Sequence, residues 1–372
     1  MPLSQFTIYS ASDPGAPTLV GQTGSLIALL DACLVNGYGS KLSAGWSKPL
    51  PNYVGIGPTG SIGCWKQGSG SMMTLVVNDG SPTSSAATPS NGVPNEAWFH
   101  GWESIIGLTA SVAHCIGSGS GNFPSQATMV AYSTSPPSGS CYVFRKSATT
   151  DTQPRRWMMF ADAHTFYLYA ITGDSTGVWT MCCFGDIYSY KPTPDLYKCY
   201  ICGRGTSNQS SMISQHEWGD MIQYPTLVSG LGTVSIANQS MARTVGGGGN
   251  AVNVVRIGDV GKANPNAASN PNGNSIGGMA WLYGNIPAPN PQDNTLYISP
   301  VFICETTNGG LRGRMRGFWH LCHPIANFAD GQIISGANEN AGKTFQILKQ
   351  GGGGGMFCME ISATVDTNPP NP

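Results

Sequence analysis

Short apolar runs separated by polar clusters fill most of the chain. The runs are rich in β-branched and aromatic residues, and the clusters between them contain Gly, Pro, Ser and Asn, which is typical of strands and turns in all-β proteins. The pattern predicts strands over 72–77, 127–132, 141–145, 157–161, 165–171, 178–190, 197–202, 295–305, 344–348 and 357–364. We therefore predict a mainly β fold of the antiparallel sandwich or meander type.

One helix is predicted near the start of the chain. An apolar stripe at helical spacing consists of Leu26, Leu29, Leu30, Cys33 and Leu34. Thr23 or Ser25 is expected to cap this helix at its N-terminus, and Gly37 is expected to end it. Additional apolar residues widen the stripe, so the helix should pack into protein on much of its circumference.

The strands over 157–161 and 165–171 are predicted to form a hairpin. Only Asp162, Ala163 and His164 separate them, and the Gly-Asp-Ser-Thr-Gly run at 173–177 then turns the chain into the next strand. This meander is the clearest tertiary prediction that the pattern allows.

Long loops rich in Gly, Pro and Asn divide the strands. They lie at 80–95, 134–140, 246–249 and 263–278, and a glycine run at 351–355 predicts a wide turn between the last two strands. We expect a helix-containing segment over 1–50, a β-rich body over 51–365 and an extended C-terminal arm over 366–372. Two subdomains within the body, if present, divide near 205–250.

The composition is poor in charge. Lys and Arg total 18, Asp and Glu total 19, and charged residues make up 10% of 372 residues, against about 25% in ordinary soluble domains. This balance gives no basic footprint for nucleic acid, and no apolar run is long enough to insert into a membrane. The first residues lack the features of a signal peptide, so we expect synthesis in the cytoplasm. A surface polar through Ser, Thr, Asn and Gln suits contacts with neighbouring subunits.

The histidines give no catalytic motif. None of the six stands in a nucleophile-elbow, zinc-protease or kinase setting. The pair His114-Cys115 and the run from His320 to His323 are the nearest approach to a reactive cluster, but such histidines more often lie on a folded surface or at a subunit contact. We predict no catalytic residues, no cofactor and no metal site, and hence a protein that is not an enzyme.

Two clusters of carboxylates are candidates for binding or catalytic groups. Glu96, Trp98, Trp102 and Glu103 combine aromatic faces with carboxylates, which is a combination that saccharide sites use. Asp186 and Asp174 flank one strand region, but both stand in turn contexts, where Asp commonly bonds its own backbone. A glycosidase needs a pair of carboxylates held at a fixed separation, and no such pair can be located from the sequence.

Eleven cysteines are scattered along the chain. A Cys199-x-x-Cys202 knuckle near Cys182 and Cys183 suggests zinc, but adjacent cysteines on one strand point to opposite faces and a second knuckle is absent. The alternative is that most of the cysteines are small buried apolar residues. Disulfide formation is a further option, and its pairing cannot be read from the sequence.

A basic cluster stands out against the neutral chain. Arg312, Arg314 and Arg316 alternate as on one face of a strand. Nucleic acid, an acidic neighbour or a ladder of carboxylates could meet them, and a salt-bridge patch between subunits is the preferred interpretation. Two glycine-rich runs, at 246–249 and 342–344, lack the spacing of a phosphate-binding loop.

Several segments together resemble a family of tailed-bacteriophage virion structural proteins. The segments are SLIALLDACLVNGYG at 25–39, AGWSKP at 44–49, RWMMFADAHTFYLY at 156–169, FGDIYSY at 184–190, LYISPV at 296–301 and LRGRMRGFW at 311–319. Their order and spacing agree with the family over nearly the whole chain, whereas the many cysteines and the loop at 80–95 depart from it.

The resemblance implies an oligomeric accessory component of the virion and carries no catalytic residues. Its expected partners are other phage structural proteins, such as the major capsid or tail proteins, together with further copies of itself, a trimer being one option. Capsid decoration, as a minor capsid protein, is the preferred position. The alternative is a tail or baseplate protein that contributes to binding a host receptor or saccharide.

Overall fold

Antiparallel strands form most of the fold. The computed structural model describes residues 6–54, 61–80, 82–83, 90–92, 96–102, 113–116, 120–121, 142–147, 149–171, 179–191, 194–202, 204–205, 240–243, 251–257, 296–305, 311–321, 328–349 and 356–362. Every pairing between strands in these residues is antiparallel. The predicted mainly β class with one N-terminal helix is confirmed.

The elements of the first half of the chain are β1 (Thr7–Ser10), α1 (Ser25–Leu30) continued by a π-helical turn (Asp31–Asn36), β2 (Tyr53–Val54), β3 (Ser61–Lys66), β4 (Thr74–Asp79), β5 (Pro82–Thr83), β6 (Ser90–Gly92), β7 (Glu96–Trp102), β8 (Ala113–Ile116), β9 (Ser120–Gly121), β10 (Tyr142–Arg145), β11 (Trp157–Ala161) and β12 (Thr165–Ile171). Those of the second half are β13 (Trp179–Asp186), β14 (Tyr188–Ser189), β15 (Cys199–Cys202), β16 (Arg204–Gly205), β17 (Ser240–Arg243), β18 (Ala251–Ile257), β19 (Ile298–Glu305), β20 (Leu311–Leu321), β21 (Ile333–Ser335), a 3-10 turn (Asn338–Asn340), β22 (Thr344–Lys349) and β23 (Met356–Glu360).

Two large sheets organise these strands. The larger has thirteen strands in the order β1-β11-β12-β13-β15-β17-β18-β19-β20-β23-β22-β21, with β14 beside β20. The smaller has eight strands in the order β16-β10-β7-β4-β3-β2, extended from β7 by β8 and β9. Strands β5 and β6 pair separately, inside the segment that was predicted to be one long polar loop.

The central strand β12 is buried on both faces. Phe166 and Leu168 belong to a core that also contains α1 and strands of the smaller sheet. Tyr167 and Tyr169 point the other way, into a second core that includes Phe318 from the far half of the larger sheet. The larger sheet therefore folds over onto itself around the second core, and the first core joins it to the smaller sheet in a layered sandwich.

The helix is anchored by a residue distant in sequence. Its predicted apolar stripe is buried, and Gly37 ends the helical segment with a φ of 76°, as expected. The predicted cap is wrong, because Gly24 is the N-cap residue and no side chain caps the helix at that position. Instead the N–H of Leu26 donates to the carboxylate of Asp79 at 2.9 Å.

Most of the predicted strands that fall on described residues are present. The hairpin formed by β11 and β12 has the predicted bounds. The strand predicted over 178–190 is divided at Ile187, because β13 ends at Asp186 and the residues after Ile187 pair with β20 instead of β15. The predicted strand at 127–132, the segments 134–140, 246–249, 263–278 and 351–355, and the C-terminal arm over 366–372 lie outside the described residues.

Candidate functional site

The connection between β3 and β4 donates several hydrogen bonds to the carboxylate of Asp186. The N–H of Ser71 donates to Asp186 Oδ2 at 2.9 Å, the Ser71 hydroxyl donates to Oδ1, and the Gln67 amide donates to Oδ1 at 3.1 Å. Gly70 adopts a φ of +82°, and a Cβ added there would lie 2.0 Å from Asp186 Oδ2. Glycine thus allows the backbone to reach the carboxylate.

Two basic side chains stand beside this carboxylate. His164 Nδ1 lies 3.8 Å and Lys198 Nζ 3.6 Å from Asp186 Oδ2. Burial alone would raise the pKa of Asp186, but His164, Ser71 and Lys198 favour the ionised form, and the pKa lies below its ordinary value. Asp186 is therefore a buried anion that accepts hydrogen bonds from the β3–β4 connection of the smaller sheet and has basic side chains of the larger sheet beside it.

The hydrogen bonds from Gln67 and Ser71 to Asp186 link the two sheets, and we call this cluster the clamp. A serine nucleophile needs a base that accepts its proton, and that base in turn needs an orienting carboxylate. Here the Ser71 hydroxyl donates directly to Asp186, and a carboxylate with a lowered pKa is a weak base for a hydroxyl proton. Cys199, which faces Asp186 in the strand register, is buried, and burial raises the pKa of its thiol well above the ordinary value.

The arginines of β20 are buried within the chain. Arg312 bonds the carboxylate of Asp195 at 2.8–2.9 Å, and Arg316 bonds that of Asp162 at 2.6 Å. Arg314 lies over the ring of Tyr188, 5.3 Å from its centroid. All three arginine residues are buried, with at most 8% of their surface exposed. The salt-bridge patch expected between subunits is therefore corrected to a set of contacts inside one chain.

Asp162 combines two tasks at the β11–β12 turn. Its Oδ1 accepts the N–H groups of His164 and Thr165 at 2.7 and 2.9 Å, and its Oδ2 accepts the bond from Arg316. Its backbone carbonyl accepts the indole N–H of Trp46 at 2.7 Å. The predicted turn residue is thus also the point at which β20 and the segment around Trp46 attach to the hairpin.

A third buried ion pair joins Lys146 to Asp79. Both side chains are fully buried, and Lys146 Nζ also donates to the carbonyl of Gln22 at 2.5 Å. Burial raises the pKa of Asp79 and lowers that of Lys146, and the attraction between the two charges opposes both shifts. Because Asp79 also holds the first turn of α1 through Leu26, this pair fixes the helix to the smaller sheet.

The residues considered for a saccharide site fall partly on β7. Glu96, Trp98 and Trp102 occupy even-numbered positions of that strand. The odd-numbered Ala97 and Phe99 are buried. Asn78 is the register partner of Trp98. Glu103 lies outside the described residues, so the arrangement of all four is not established.

The two histidine–cysteine clusters predicted from the sequence are also only partly covered by the described residues. His114 and Cys115 lie in β8, and Cys115 is the register partner of Trp102. His320 lies in β20 opposite Phe357, whereas 322–327, which contains His323, is outside the described residues.

The described cysteines behave as buried apolar residues. Six of them are buried and take part in no disulfide, namely Cys33, Cys64, Cys182, Cys183, Cys199 and Cys358. Cys182 belongs to the first core and Cys183 to the second, which confirms that these neighbours point to opposite faces. Within the described ranges no group of three or more His, Cys, Asp or Glu side chains could hold a metal ion. Nor does any helix there have the length and apolar character needed to cross a membrane.

A cleft of about 420 Å³ lies where the first strands of the larger sheet meet the turn before β21. Ser10, Arg156 and Trp157 line one side, and Asp330 and Leu348 line the other. Trp157 is only 3% exposed, and its indole N–H donates to the backbone, so its ring offers little face for stacking.

No model of a known protein family matches the chain, and a search of curated proteins gave no match either. The function must therefore be argued from the residues, their geometry and the resemblance noted in the sequence.

The sequence pointed to some of these groups and missed others. It identified the β11–β12 turn and the arginine row, but the Gln-Gly-Ser-Gly-Ser run at 67–71 was not singled out. Two glycines flanking a serine between strands are a signal for a loop that approaches an anion closely. The identity of that anion, Asp186, depends on a contact across 115 positions of sequence.

Proposed function

We propose that the chain is a non-enzymatic structural component of a tailed-phage virion, present as an oligomeric accessory protein on the particle. Within this proposal capsid decoration, as a minor capsid protein, is the preferred role. Its partners are the major capsid or tail proteins and further copies of the chain, and its location is the virion after synthesis in the bacterial cytoplasm. The resemblance of six segments to this family supports the class of protein.

The single observation that carries the proposal is the placement of charge inside the fold. Arg312, Arg316 and Lys146 are each buried and paired with an aspartate of the same chain. Only 10% of the residues are charged, and burial of these pairs further reduces the number of charged side chains on the outer surface. Depletion of charge is characteristic of surfaces that neighbouring proteins cover.

The Asp186 cluster supports a structural role over a catalytic one. Its donors come from the loop of one sheet and its carboxylate from a strand of the other, so the cluster holds layers together. A mechanically loaded particle protein benefits from such links between layers, whereas a serine enzyme would need Ser71 beside a base.

The alternative is a tail or baseplate protein that binds a host receptor or saccharide. It is favoured by the alternation of Glu96, Trp98 and Trp102 on β7, because alternate positions of a strand share one face of the sheet. Quenching of tryptophan fluorescence by host surface polysaccharide, lost in Trp98→Ala, would support this role. An unchanged spectrum at saturating polysaccharide would count against it.

Immunogold electron microscopy of purified particles tests the proposed position. Antibodies against the chain are expected to label the capsid. Label confined to the tail tip or baseplate would favour the alternative, and particles without label, with a labelled denatured control, would contradict the virion role.

A further inference from the structure

The two outer edges of the larger sheet are treated differently. At β1 the carbonyl of Ile8 and both polar groups of the Ser10 backbone, which face away from β11, have partners: Lys41 donates to the carbonyl of Ile8 at 2.8 Å, and the N–H of Ser10 donates to the carboxylate of Asp13 at 2.8 Å. The N–H of Asp13 donates back to the carbonyl of Ser10 at 3.0 Å. A lysine and a local turn thus close this edge to another strand.

The opposite edge, β21, is open. The carbonyl of Gln332 accepts the N–H of Ile347 at 2.8 Å, and the N–H of Gly336 donates to the carbonyl of Lys343, just before β22, at 2.8 Å. Because antiparallel bonding alternates along a strand, Ile333 and Ser335 direct their N–H and C=O groups away from β22. Within the described part of the chain, no hydrogen bond to these outward groups is found.

The side chains of β21 also leave the edge unprotected. Ile333 is 61% exposed, whereas Ile334 points inward and is 8% exposed in a core with Phe345. Proteins usually block an open edge with a charged side chain or a proline. The Ile-Ile-Ser sequence of β21 contains neither.

We propose that β21 pairs with β21 of a second copy of this chain in an antiparallel two-fold contact. Ile333 then faces the partner's Ser335, and Ser335 faces the partner's Ile333, so the outward N–H and C=O groups of both residues bond across the contact. The strand is self-complementary in this arrangement and carries no charged side chain of its own, so no like charges within β21 oppose each other.

The blocked edge at β1 determines the size of this assembly. In the described part of the chain the larger sheet has one open edge, β21, and the two-fold pairing uses it in both copies, so this contact closes as a dimer. It is a two-fold contact, which differs from the trimer considered from the sequence. The inference rests on the proposed function only in that both assume self-association.

A strand of three residues is a small interface, so the association is expected to be weak and to depend on concentration. On a particle, attachment of neighbouring copies to the same surface would raise their local concentration and favour the pairing.

Sedimentation equilibrium of the purified full chain over a range of concentrations tests the proposal. The weight-average mass is expected to rise from 39.0 kDa toward twice that value. Ile333→Lys adds a charge at the edge, and Ser335→Pro removes an outward N–H without removing an inward bond. Both variants are expected to stay monomeric. The matched control is Leu42→Lys, which changes an 82% exposed leucine outside β21 and should dimerise like the unchanged chain.

Hydrogen exchange of the unchanged chain gives a second readout that does not depend on a variant folding. The peptide that contains Ile333 and Ser335 is expected to become protected as concentration rises. A monomer at every concentration, a trimer, or a dimer that both edge variants retain would overturn the proposal. These outcomes concern only the purified chain, so they are separate from whether the protein is found on particles.

Discussion

Arg316 in β20 bonds Asp162 in the β11–β12 turn at 2.6 Å, and both side chains are at most 4% exposed. The pair joins the two halves of the larger sheet where that sheet folds over the second core. Because the other oxygen of Asp162 organises the turn through His164 and Thr165, one carboxylate sets both the hairpin and its attachment to β20.

Removing the arginine should therefore cost much more than removing a surface partner. Arg316→Met leaves Asp162 buried without its cation, and the free energy of unfolding is expected to fall by about 3–5 kcal/mol. Urea unfolding measures it. Asp151→Asn is the control and should cost clearly less, because the Asp151 carboxylate is 44% exposed and the buried Arg155 keeps its bonds to Ser147 and Thr149. Equal losses in the two variants would contradict the structural importance of the buried pair.

The Lys146–Asp79 pair makes a similar prediction with a rescue. Lys146→Met should lower the free energy of unfolding by about 3–5 kcal/mol, because it leaves a buried carboxylate without its partner. Adding Asp79→Asn removes that charge and keeps an acceptor for the N–H of Leu26, so the double variant should recover most of the loss. A double variant no more stable than Lys146→Met would argue against charge burial as the cause.

The helix cap shows where sequence reasoning reaches its limit. The apolar stripe and Gly37 were readable, because helix periodicity and a terminating glycine are local signals. The cap at Leu26 comes from Asp79, 53 positions later, and no local pattern could reveal it.

The strands likewise differ in whether local signals or distant contacts determine them. The runs that became β11 and β12 are apolar on both faces because each face meets a core, and their short connection made the hairpin predictable. In β20 the arginines alternate with glycines and one methionine, so its apolar pattern is weak. Only the distant partners Asp195 and Asp162 explain why those arginines are buried.

Asp186 predicts a stability that depends on acid pH. Its folded-state pKa is depressed, so its contribution is present above the unfolded-state pKa of about 4 and is lost as pH falls through the lower folded-state pKa. Asp186→Asn should lower stability at neutral pH and flatten the acid decline. Unfolding free energies measured at a series of pH values compare the two. Parallel curves for both proteins would contradict an ionised Asp186 in the clamp.

Glycine at position 70 should be needed for stability for two reasons: its positive φ and the absence of a side chain next to Asp186. Gly70 and Gly342 have similar positive φ angles of +82° and +84°, but a Cβ at Gly342 would meet nothing within 4 Å. Gly342→Ala should cost about 1–2 kcal/mol from the backbone conformation. Gly70→Ala should cost clearly more in thermal or urea unfolding, because its methyl group would collide with Asp186. Equal costs would mean that the loop does not approach the carboxylate closely.

Quantitative mass spectrometry of purified phage particles tests the central claim, the proposed virion role, most directly. The chain's copy number would be measured against that of the major capsid protein, with and without reductant. The account predicts that the chain copurifies with particles in numbers comparable to the capsid subunits, whereas a few copies per particle would favour the tail or baseplate alternative. A chain abundant in the infected lysate but absent from purified particles would contradict the account.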